Sequence, residues 1–466
     1  MGGWGDVIVV VDIVTREAML FAAIGFMIGG LDDLALDALY LIHRAGRLIS
    51  ACPRRTLDDF PIAADPGLIV VFVAAWDESR VIGAMLRTAL ARFDHPAYRL
   101  YVGCYPNDPA TIRAVAAVAE GDARVRLVIG SAPGPTTKAD CLNTIWRALL
   151  RDEAAERRQA KAVVLHDAED VVHPGELRIF DALIGRHCVV QLPVLPLVDR
   201  RARLISGHYA DEFAESHGKT LIVRQALGAA LPLAGVGCAI ERSCLGRIAD
   251  ARGGAPFDAM SLTEDYELGL QIAAFGGTGA FARVAEWSGG APVAVRAYFP
   301  STLEAAVRQK TRWLIGIALA GWDRVGWGRG LDWRDHWMRM RDRRGPLAVF
   351  VLMAAYVAAT LWLVSAALHG VRGVSIPPLP ASLLTLLGLN ASLLLWRLGM
   401  RAIFTWRAYG KRQAAWSAPR MFVGNLIAMV AAQRALIRYV GMLRGSPPRW
   451  DKTEHVFPED LAGDAG

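Results

Sequence analysis

Long uncharged apolar stretches lie towards both ends of the chain, and two of them near the C-terminus have the length of membrane-spanning helices. Pro346 to Leu368 and Pro378 to Trp396 each match the roughly 20 apolar residues needed to cross a bilayer. The turn between them carries one arginine, whereas several arginines precede the first stretch and follow the second. Because positive residues collect on the cytoplasmic side, we predict a transmembrane hairpin whose turn faces outward.

Two further apolar stretches are weaker candidates for membrane contact. Ala18 to Leu31 reaches spanning length only if Val7 to Val14 is added and the charges between them are tolerated near one end. The basic residues between His43 and Arg55 keep the next segment cytoplasmic and put the N-terminus outside. Met421 to Ala432 is shorter and runs into charged residues, which favours an amphipathic helix in the membrane interface, with a buried half-helix as the alternative.

Residues from about 60 to 300 follow a different pattern, in which short β-branched runs alternate with amphipathic helical stretches. The predicted strands are Gly67–Trp76, Tyr98–Cys104, Val125–Ile129 and Ala162–His166, and the predicted helices between them are Val81–Ala91, Pro109–Glu120 and Ala139–Leu150. Strands buried on both faces and joined by crossover helices predict a parallel sheet, with ligands in the crevice at the carboxyl ends of the strands.

Composition narrows the class of protein. Hydrophobic residues make up 53% of the 466 residues and the mean hydropathy is +0.28, which excludes a disordered, collagen-like or fully soluble chain. The net charge of +7 comes from arginines beside the apolar stretches, so it indicates membrane topology and no nucleic-acid partner. We divide the chain into an N-terminal transmembrane helix and linker (1–55), an α/β domain (56–300), juxtamembrane helices (301–345), a transmembrane hairpin (346–397) and a cytoplasmic or interfacial C-terminal segment (398–466).

An acidic cluster follows the fourth predicted strand, at the edge where such a sheet presents its ligand site. It contains Asp167, Glu169 and Asp170. Clustered carboxylates repel one another unless a cation lies among them, and Mg²⁺ or Mn²⁺ takes carboxylate oxygens and bridges to phosphates. We therefore predict a divalent cation and a bound nucleoside diphosphate. The alternative is a solvated acidic turn before a helix that Pro174 opens.

Thr263, Glu264 and Asp265 stand directly before a second helical pattern. Thr263 suits a helix N-cap, and two acidic residues in the first turn would favour the positive end of the helix dipole. That account explains the residue types without any function. The functional alternative makes Asp265 a general base that takes a proton from an attacking hydroxyl group.

A third element lies in a predicted helix from about residue 302 to 320. The spacing of Gln309, Arg312 and Trp313 puts all three on one face of that helix. Arginine can hold a leaving diphosphate, and tryptophan offers a flat apolar surface for a sugar ring. The alternative is that these side chains pack a juxtamembrane helix against its neighbours.

These three elements, in this order and upstream of a membrane hairpin, resemble the processive membrane-embedded glycosyltransferases of family 2. The resemblance implies an α/β fold of the GT-A type, a nucleotide-sugar-binding, Rossmann-like cytoplasmic domain accompanied by transmembrane and interfacial helices. The Ala75–Glu78 turn, the Lys138–Asn143 segment and the Gly235–Gly237 strand are similar to further family motifs. The family's usual D-D-G-S turn is replaced by Cys104–Asp108, in which Asp108 is the best substitute for the residue that contacts uracil.

The resemblance assigns roles residue by residue. It implies that the catalytic residues are Asp265, Glu264 and Arg312, that the donor contacts are Trp76, Glu78, Asp108, Lys138, Asp167, Gln309 and Trp313, and that the metal ligands are Asp167, Glu169 and Asp170. Which of Glu169 and Asp170 is the principal ligand stays open.

Within that family the resemblance is strongest to the bacteriophage N4 adsorption protein B group, inner-membrane glycosyltransferases associated with a surface polysaccharide. The motifs that carry it are Gly30–Asp33, His166–Leu177, His208–Phe213 and Trp450–His455. The resemblance implies a multi-pass inner-membrane enzyme with a cytoplasmic catalytic domain. Its expected partners are a nucleotide sugar, a glycan or lipid-linked acceptor, membrane lipids and an outer-membrane export or receptor protein.

The expected activity is inverting transfer of a sugar from a UDP-hexose or UDP-N-acetylhexosamine to a growing surface polysaccharide. Two alternatives remain from the sequence. One is transfer of a single sugar to a lipid carrier, and the other is a catalytically inactive membrane scaffold or phage-receptor component.

Overall fold

A mixed seven-stranded sheet forms the centre of the protein. The computed structural model describes residues 3–50, 54–328, 330–446 and 455–458. The strands are β1 Ile69–Ala74, β2 Tyr98–Cys104, β3 Val125–Ile129, β4 Ala162–His166, β5 Val189–Gln191, β6 Cys238–Glu241 and β7 Gly279–Phe281. Their order in the sheet is β3-β2-β1-β4-β6-β5-β7. All four predicted strands are therefore present, the first slightly shorter than expected.

The parallel arrangement predicted from the sequence holds for the four predicted strands and for the β5–β7 pair, and β6 departs from it. Strands β1 to β4 pair in parallel, whereas β6 runs antiparallel to both β4 and β5. The reason is the path of the chain after β5. It stays at the carboxyl edge of the sheet and re-enters there, so that the backbone N–H of Gly237 donates to the carbonyl of Leu165 at 3.0 Å. A parallel strand would need a crossover back to the opposite edge.

Helices cover both faces of the sheet. They are α2 Ile82–Arg92, α3 Pro109–Ala119, α4 Lys138–Glu156, α5 Glu176–Leu183, α6 Ile205–Glu215, α7 Leu221–Ala226, α8 Arg242–Ala251 and α9 Glu264–Ala274. Along β1, Ile69, Val71 and Val73 enter one core, while Val70 and Phe72 enter the other. This two-sided burial explains why the strand is a continuous apolar run without polar alternation.

The remaining helices surround the membrane region. They are α1 Gly3–Ile49, α10 Leu303–Trp313, α11 Ala320–Val325, α12 Trp333–Arg343, α13 Gly345–Arg372, α14 Ala381–Tyr409, α15 Lys411–Ala415 and α16 Ser417–Leu443. Short 3₁₀ and π-helical segments occur at Leu57–Asp59, Ser216–Thr220 and Leu314–Leu319. Among the described residues, α13, α14 and α16 are long and apolar enough to cross a membrane. Helix α13 contains the first stretch predicted for the hairpin, whereas α14 begins three residues after the start of the second stretch and continues past Trp396.

Helix α1 is much longer than the predicted N-terminal span. At 1.5 Å per residue its 47 residues extend about 70 Å, over twice the hydrocarbon thickness of a bilayer. It packs along α13 and α14. Two aspartates of α1 bind to the region of α13. Asp12 hydrogen-bonds to Ser365 and His369 of α13, and Asp33 pairs with arginines before α13. These two aspartates lie about 30 Å apart along the helix, which matches the apolar thickness of a membrane.

The Gly30–Asp33 motif joins α1 to α12. The Asp32 carboxylate accepts a hydrogen bond from Trp337 Nε1 at 2.6 Å and pairs with Arg341 and Arg344. The Asp33 carboxylate lies 2.7 Å from Arg341 Nη2. Two aspartates of α1 therefore pair with arginines at the point where the apolar stretch of α1 ends.

Helix α16 follows the course of α10 and the segments after it. Ile427 and Ala431 pack in one cluster with residues of α10, and Ala435 packs with Ile315 farther on. Tyr439 Oη then donates to Asp323 Oδ2 at 3.0 Å. Helix α16 and the chain from α10 to α11 therefore run side by side in the same direction. The interfacial placement of residues 421–432 and the division into five segments stay predictions, since length and composition also allow α16 to span.

A buried ion pair fastens the α/β domain to this membrane region and accounts for the His208–Phe213 motif. Arg420 Nη1 of α16 lies 3.0 Å from Asp211 Oδ1 of α6, and both side chains are fully buried. Thr405 of α14 donates to the same Asp211 oxygen at 3.1 Å. A Cβ at Gly207 would lie 2.3 Å from Arg420 Nε, so this position on α6 has room for glycine alone.

The burial of this pair leads to a prediction about stability. Arg420→Met leaves the Asp211 carboxylate buried without its cation, which costs about 3–5 kcal/mol when one partner of a buried pair is removed. The matched control is Arg434→Met, which breaks the exposed 2.6 Å pair between Arg434 and Glu304. Thermal unfolding in detergent should show a large loss for the first variant and none for the second. Equal melting temperatures would contradict the assignment.

Candidate active site

The three predicted motifs meet in one cleft at the carboxyl edge of the sheet. Residues from each of them line the same cavity, together with side chains from β1, α4 and the C-terminal segment. The predicted site residues in this lining are Glu78, Lys138, Asp167, Glu169, Asp170, Glu264, Asp265, Gln309, Arg312 and Trp313. Trp76 and Asp108 lie outside it. His455, to which the sequence analysis assigned no role, lies inside it.

Lys138 connects the first two motifs. It is the first residue of α4, and its Nζ lies 2.5 Å from Asp167 Oδ1 and 3.8 Å from Glu264 Oε1. Burial acts to raise the pKa of Asp167, but the Lys138 ammonium, with His455 and Arg312, outweighs it and holds the pKa below its usual value. These positive charges therefore favour the ionised form of Asp167.

Glu78, Glu169 and His455 form the most concentrated group of ligand atoms in the cleft. One oxygen or nitrogen atom from each lies within 4.8 Å of the others. His455 Nδ1 is 2.8 Å from Glu78 Oε1 and 3.2 Å from Glu169 Oε2. Burial raises the pKa of Glu169 to about 8, and the negative charges of Asp167, Asp170 and Glu78 add to this shift. These buried carboxylate oxygens and the imidazole are not balanced by enough positive charge. Such a set of ligand atoms fits Mn²⁺ or Mg²⁺.

The Trp450–His455 motif lies outside the described residues except for His455. Two residues after His455, Phe457 is buried in the hydrophobic core that also contains residues of β1. The motif gave no local signal for a site, because His455 lies far along the chain from Glu78 and Glu169. Only the return of the C-terminal segment to the cleft places it there.

Asp170 was predicted as a metal ligand, and one of its two carboxylate oxygens is engaged within the turn. Its Oδ2 accepts hydrogen bonds from His166 Nδ1 at 2.8 Å and from the Asp167 backbone N–H at 3.0 Å. Asp170 therefore helps to hold the turn that carries Asp167 and Glu169, and its role as a metal ligand stays a prediction.

Asp265 and Glu264 open helix α9, as predicted. Thr263 precedes them, but its side chain makes no N-cap hydrogen bond, and its Oγ1 is buried without a partner in the described part of the chain. Thr263 therefore occupies the N-cap position of α9, but its side chain does not cap the helix. Burial raises the pKa of Asp265 and raises that of Glu264 to about 7, while Lys138 opposes both shifts. A carboxylate with a raised pKa binds a proton more readily, as a general base must.

Gly235 is packed against the carboxylate of Asp265. It has a φ of +77°, and a Cβ there would lie 2.5 Å from Asp265 Oδ2. The Gly235–Gly237 segment, which resembles a family motif, therefore lies directly against the candidate base Asp265.

Gln309, Arg312 and Trp313 project from one face of α10 into the cleft, as the helical spacing predicts. Trp313 packs edge-on against Tyr209, with ring centroids 6.0 Å apart. The Oε1 atom of Gln309 is buried and has no hydrogen-bond partner among the described residues. This orphaned acceptor and the aromatic wall beside it suit a ligand that offers hydroxyl groups and an apolar ring face.

Asp108 was predicted to contact the nucleobase, and its hydrogen bonds do not support that role. It is the N-cap of α3: Oδ1 accepts from the Thr111 N–H at 3.2 Å, and Oδ2 accepts from the Asp77 N–H at 2.6 Å. Asp77 has a φ of +53°, so this bond holds a left-handed residue in place. Asp108 therefore shapes the turn that carries Glu78, while Trp76 packs on Tyr105 with centroids 5.2 Å apart.

Comparison with known proteins decides the family. Residues 66–316 match the model of glycosyltransferase like family 2. The chain belongs to glycosyltransferase family 2. The bacteriophage adsorption protein B of Escherichia coli K12 is 38% identical over 475 residues, covering 96% of this chain and 62% of the relative. The bacteriophage N4 adsorption protein B of Escherichia coli O157:H7 gives the same values. The family 2 chain thus spans about three fifths of the length of these relatives.

A solved structure supports the fold. A mannosyltransferase from Pyrobaculum calidifontis, determined with GDP-mannose and Mn²⁺, superposes with a TM-score of 0.54 at 16% sequence identity. The match covers 89% of this chain and 99% of the mannosyltransferase. The predicted GT-A domain with membrane-capable helices and the predicted family are both confirmed.

The contact between Gly235 and Asp265 leads to a prediction about turnover. Gly235→Ala drives a methyl group into Asp265 Oδ2, and a displacement near 1 Å at a reacting group can lower turnover about 100-fold. The matched control is Gly228→Ala, which has a similar φ of +72° but no neighbouring atom within 4 Å of its Cβ. Nucleotide release from the donor should fall in the first variant alone. Parallel losses in both would mean that backbone strain, and not the carboxylate contact, causes the effect.

Proposed function

We propose that this chain is an inverting glycosyltransferase of the bacterial inner membrane. It transfers a hexose or N-acetylhexosamine from a UDP-linked donor to a growing surface polysaccharide. The observation that carries the proposal is the convergence of Asp265, the Asp167–Glu169 turn and the α10 side chains in one cleft. Each motif alone has a structural explanation, but a shared cavity that holds a base, an acidic pair and an arginine is what glycosyl transfer needs.

The donor diphosphate would lie between positive groups on two sides of the cleft. Asp167, Glu169, Glu78 and His455 would hold Mn²⁺ or Mg²⁺, which neutralises the phosphate charge when bound. The Pyrobaculum mannosyltransferase, which has this fold, contains Mn²⁺. Arg312 lines the same cleft and can pair with the departing diphosphate oxygens.

The chemical step assigns one task to each group. Asp265 takes the proton from the acceptor hydroxyl as the acceptor oxygen forms a bond to the anomeric carbon. The bond from that carbon to the diphosphate oxygen breaks at the same time, and its electron pair leaves with UDP. Because this is one displacement, the anomeric configuration inverts. Trp313, with its aromatic neighbours, positions the acceptor ring, and Gln309 Oε1 accepts from a sugar hydroxyl.

The membrane helices support a cytoplasmic catalytic domain. Arginines at 341, 343 and 344 precede α13, and Arg397 and Arg401 lie in the domain-side half of α14. Among the described residues, α13, α14 and α16 have spanning length and α1 packs along two of them, which is few for a polymer channel, so export of a polysaccharide would need a partner such as an outer-membrane protein. The lipid-carrier alternative draws support from α10, which carries the acceptor-side residues and packs directly on α16.

A catalytically inactive scaffold is the least supported alternative. The cleft buries Glu169 and Glu264, and burial of uncompensated carboxylates destabilises a fold. A scaffold would gain nothing from this arrangement, whereas a cation-dependent transferase uses it.

The decisive experiment measures release of the nucleoside diphosphate, UDP or GDP, by the purified chain in nanodiscs with Mn²⁺ or Mg²⁺. A panel of UDP-hexoses, UDP-N-acetylhexosamines and GDP-mannose is offered with membrane lipid extract as acceptor. Selective release from one UDP-sugar would support the proposal, and product size would separate polymer from single transfer. Release from GDP-mannose alone would overturn the UDP assignment, and no release from any donor would favour the scaffold.

Asp265→Asn tests the base directly. The amide cannot take the acceptor proton, so turnover should fall at least about 100-fold, the lower range for loss of a general base. Donor binding, measured by calorimetry, should stay close to that of the wild type because the amide keeps the shape of the carboxylate. Asp122→Asn, at an exposed carboxylate paired with Arg124, is the control and should leave both measurements unchanged. Normal turnover in the first variant would remove Asp265 from the mechanism.

A further inference from the structure

We propose that His166 is a positioning residue that fixes the metal-binding turn through Asp170 and Glu176. The inference rests on the proposed function, because that turn carries the candidate cation ligands Asp167 and Glu169. His166 itself does not touch the cation or the donor.

The imidazole of His166 is held between two carboxylates. His166 is the last residue of β4, and its Nδ1 lies 2.8 Å from Asp170 Oδ2 while its Nε2 lies 2.7 Å from Glu176 Oε1. The ring and the Glu176 side chain are completely buried, and that of Asp170 is 1% exposed. Burial and these hydrogen bonds restrict the rotation of all three side chains.

These contacts close the backbone around the turn. Asp170 Oδ2 also accepts the backbone N–H of Asp167 at 3.0 Å, and the Asp170 N–H donates to the Asp167 carbonyl at 3.2 Å. Glu176 Oε2 accepts the His173 N–H at 3.1 Å at the start of α5. The end of the strand, the acidic turn and the first turn of the helix are therefore one hydrogen-bonded unit with His166 at its centre.

The composition of this unit indicates a role beyond holding the sheet together. A buried charged group costs desolvation energy, and well-packed apolar residues in place of all three groups would fill the same space at lower cost. The arrangement is instead placed directly behind Asp167 and Glu169, where it sets the direction in which their carboxylates leave the backbone. Hydrogen-bonded groups behind metal ligands fix ligand orientation, and their loss typically weakens metal binding 10- to 100-fold.

The same domain supplies a matched control. His95 is also a buried histidine beside an aspartate, with Nε2 3.4 Å from Asp181 Oδ2. It precedes β2, near the amino edge of the sheet, whereas the cleft lies at the carboxyl edge. Substitution of His95 therefore removes a comparable buried contact without reaching the acidic turn.

The test measures binding of Mn²⁺ alone to the full chain in nanodiscs, by electron paramagnetic resonance of the free ion, beside the melting temperature. His166→Gln should raise the apparent Kd for Mn²⁺ by about 10- to 100-fold. His95→Gln should leave that Kd unchanged, although both variants melt at lower temperature. A wild-type Kd for His166→Gln would overturn the proposal, as would an equal rise for His95→Gln.

A second variant keeps the test decisive if His166→Gln does not fold. Glu176→Gln keeps an acceptor oxygen for the ring but removes the charge, so a several-fold rise in the Kd for Mn²⁺ is expected, and a wild-type value would overturn the proposal. Failure of the transferase assignment would look different. Wild-type chain that binds Mn²⁺ but releases no nucleotide from any donor, with weakened Mn²⁺ binding in the variants, would retain the role of His166 and reject the proposed reaction.

Discussion

The cost of burying negative charge governs the arrangement of the catalytic domain. Several carboxylates converge at the carboxyl edge of the sheet, most of them withdrawn from water. The protein offsets part of that charge with Lys138, which contacts Asp167 and Glu264, and with His455, which contacts Glu78 and Glu169. The offset is partial, since burial still raises the pKa of Glu169 and Glu264. This residual shortage of positive charge makes the cleft suited to a divalent cation and to a base that attracts protons.

The cost of burying charge also governs the contact between the α/β domain and the membrane helices. Lys219, 1% exposed, contacts Asp37 of α1 and Glu215 of α6, and Glu215 also lies 2.6 Å from Arg397 of α14. Groups of this kind destabilise a fold unless every partner is present. The catalytic domain is therefore fastened to α1 and α14 by buried contacts whose members depend on one another.

Much of the fold could be predicted because its signals are local. The strands β2, β3 and β4 begin and end at the predicted residues, since each is a short apolar run bounded by polar turns. The hairpin helices were predictable because the bilayer demands a length of apolar sequence that is visible without any neighbour. The direction of β6 was not predictable. It depends on which edge of the sheet the chain re-enters, a property of the long excursion through α6 and α7 and not of the strand itself.

For the site, the sequence by itself determined which residue types stand together in each motif, and with them the class of chemistry. Tertiary structure decided which of those side chains are available. Asp108 and Asp170 are committed to backbone N–H groups and a buried histidine, which their own neighbourhoods in the sequence do not reveal. His455 enters the cleft on a segment that follows α16, and Phe457 of the same segment is buried in the core of the α/β domain. A carboxylate or imidazole acts through the atoms within about 3 Å of it. The sequence specifies the group, whereas the folded chain specifies those atoms.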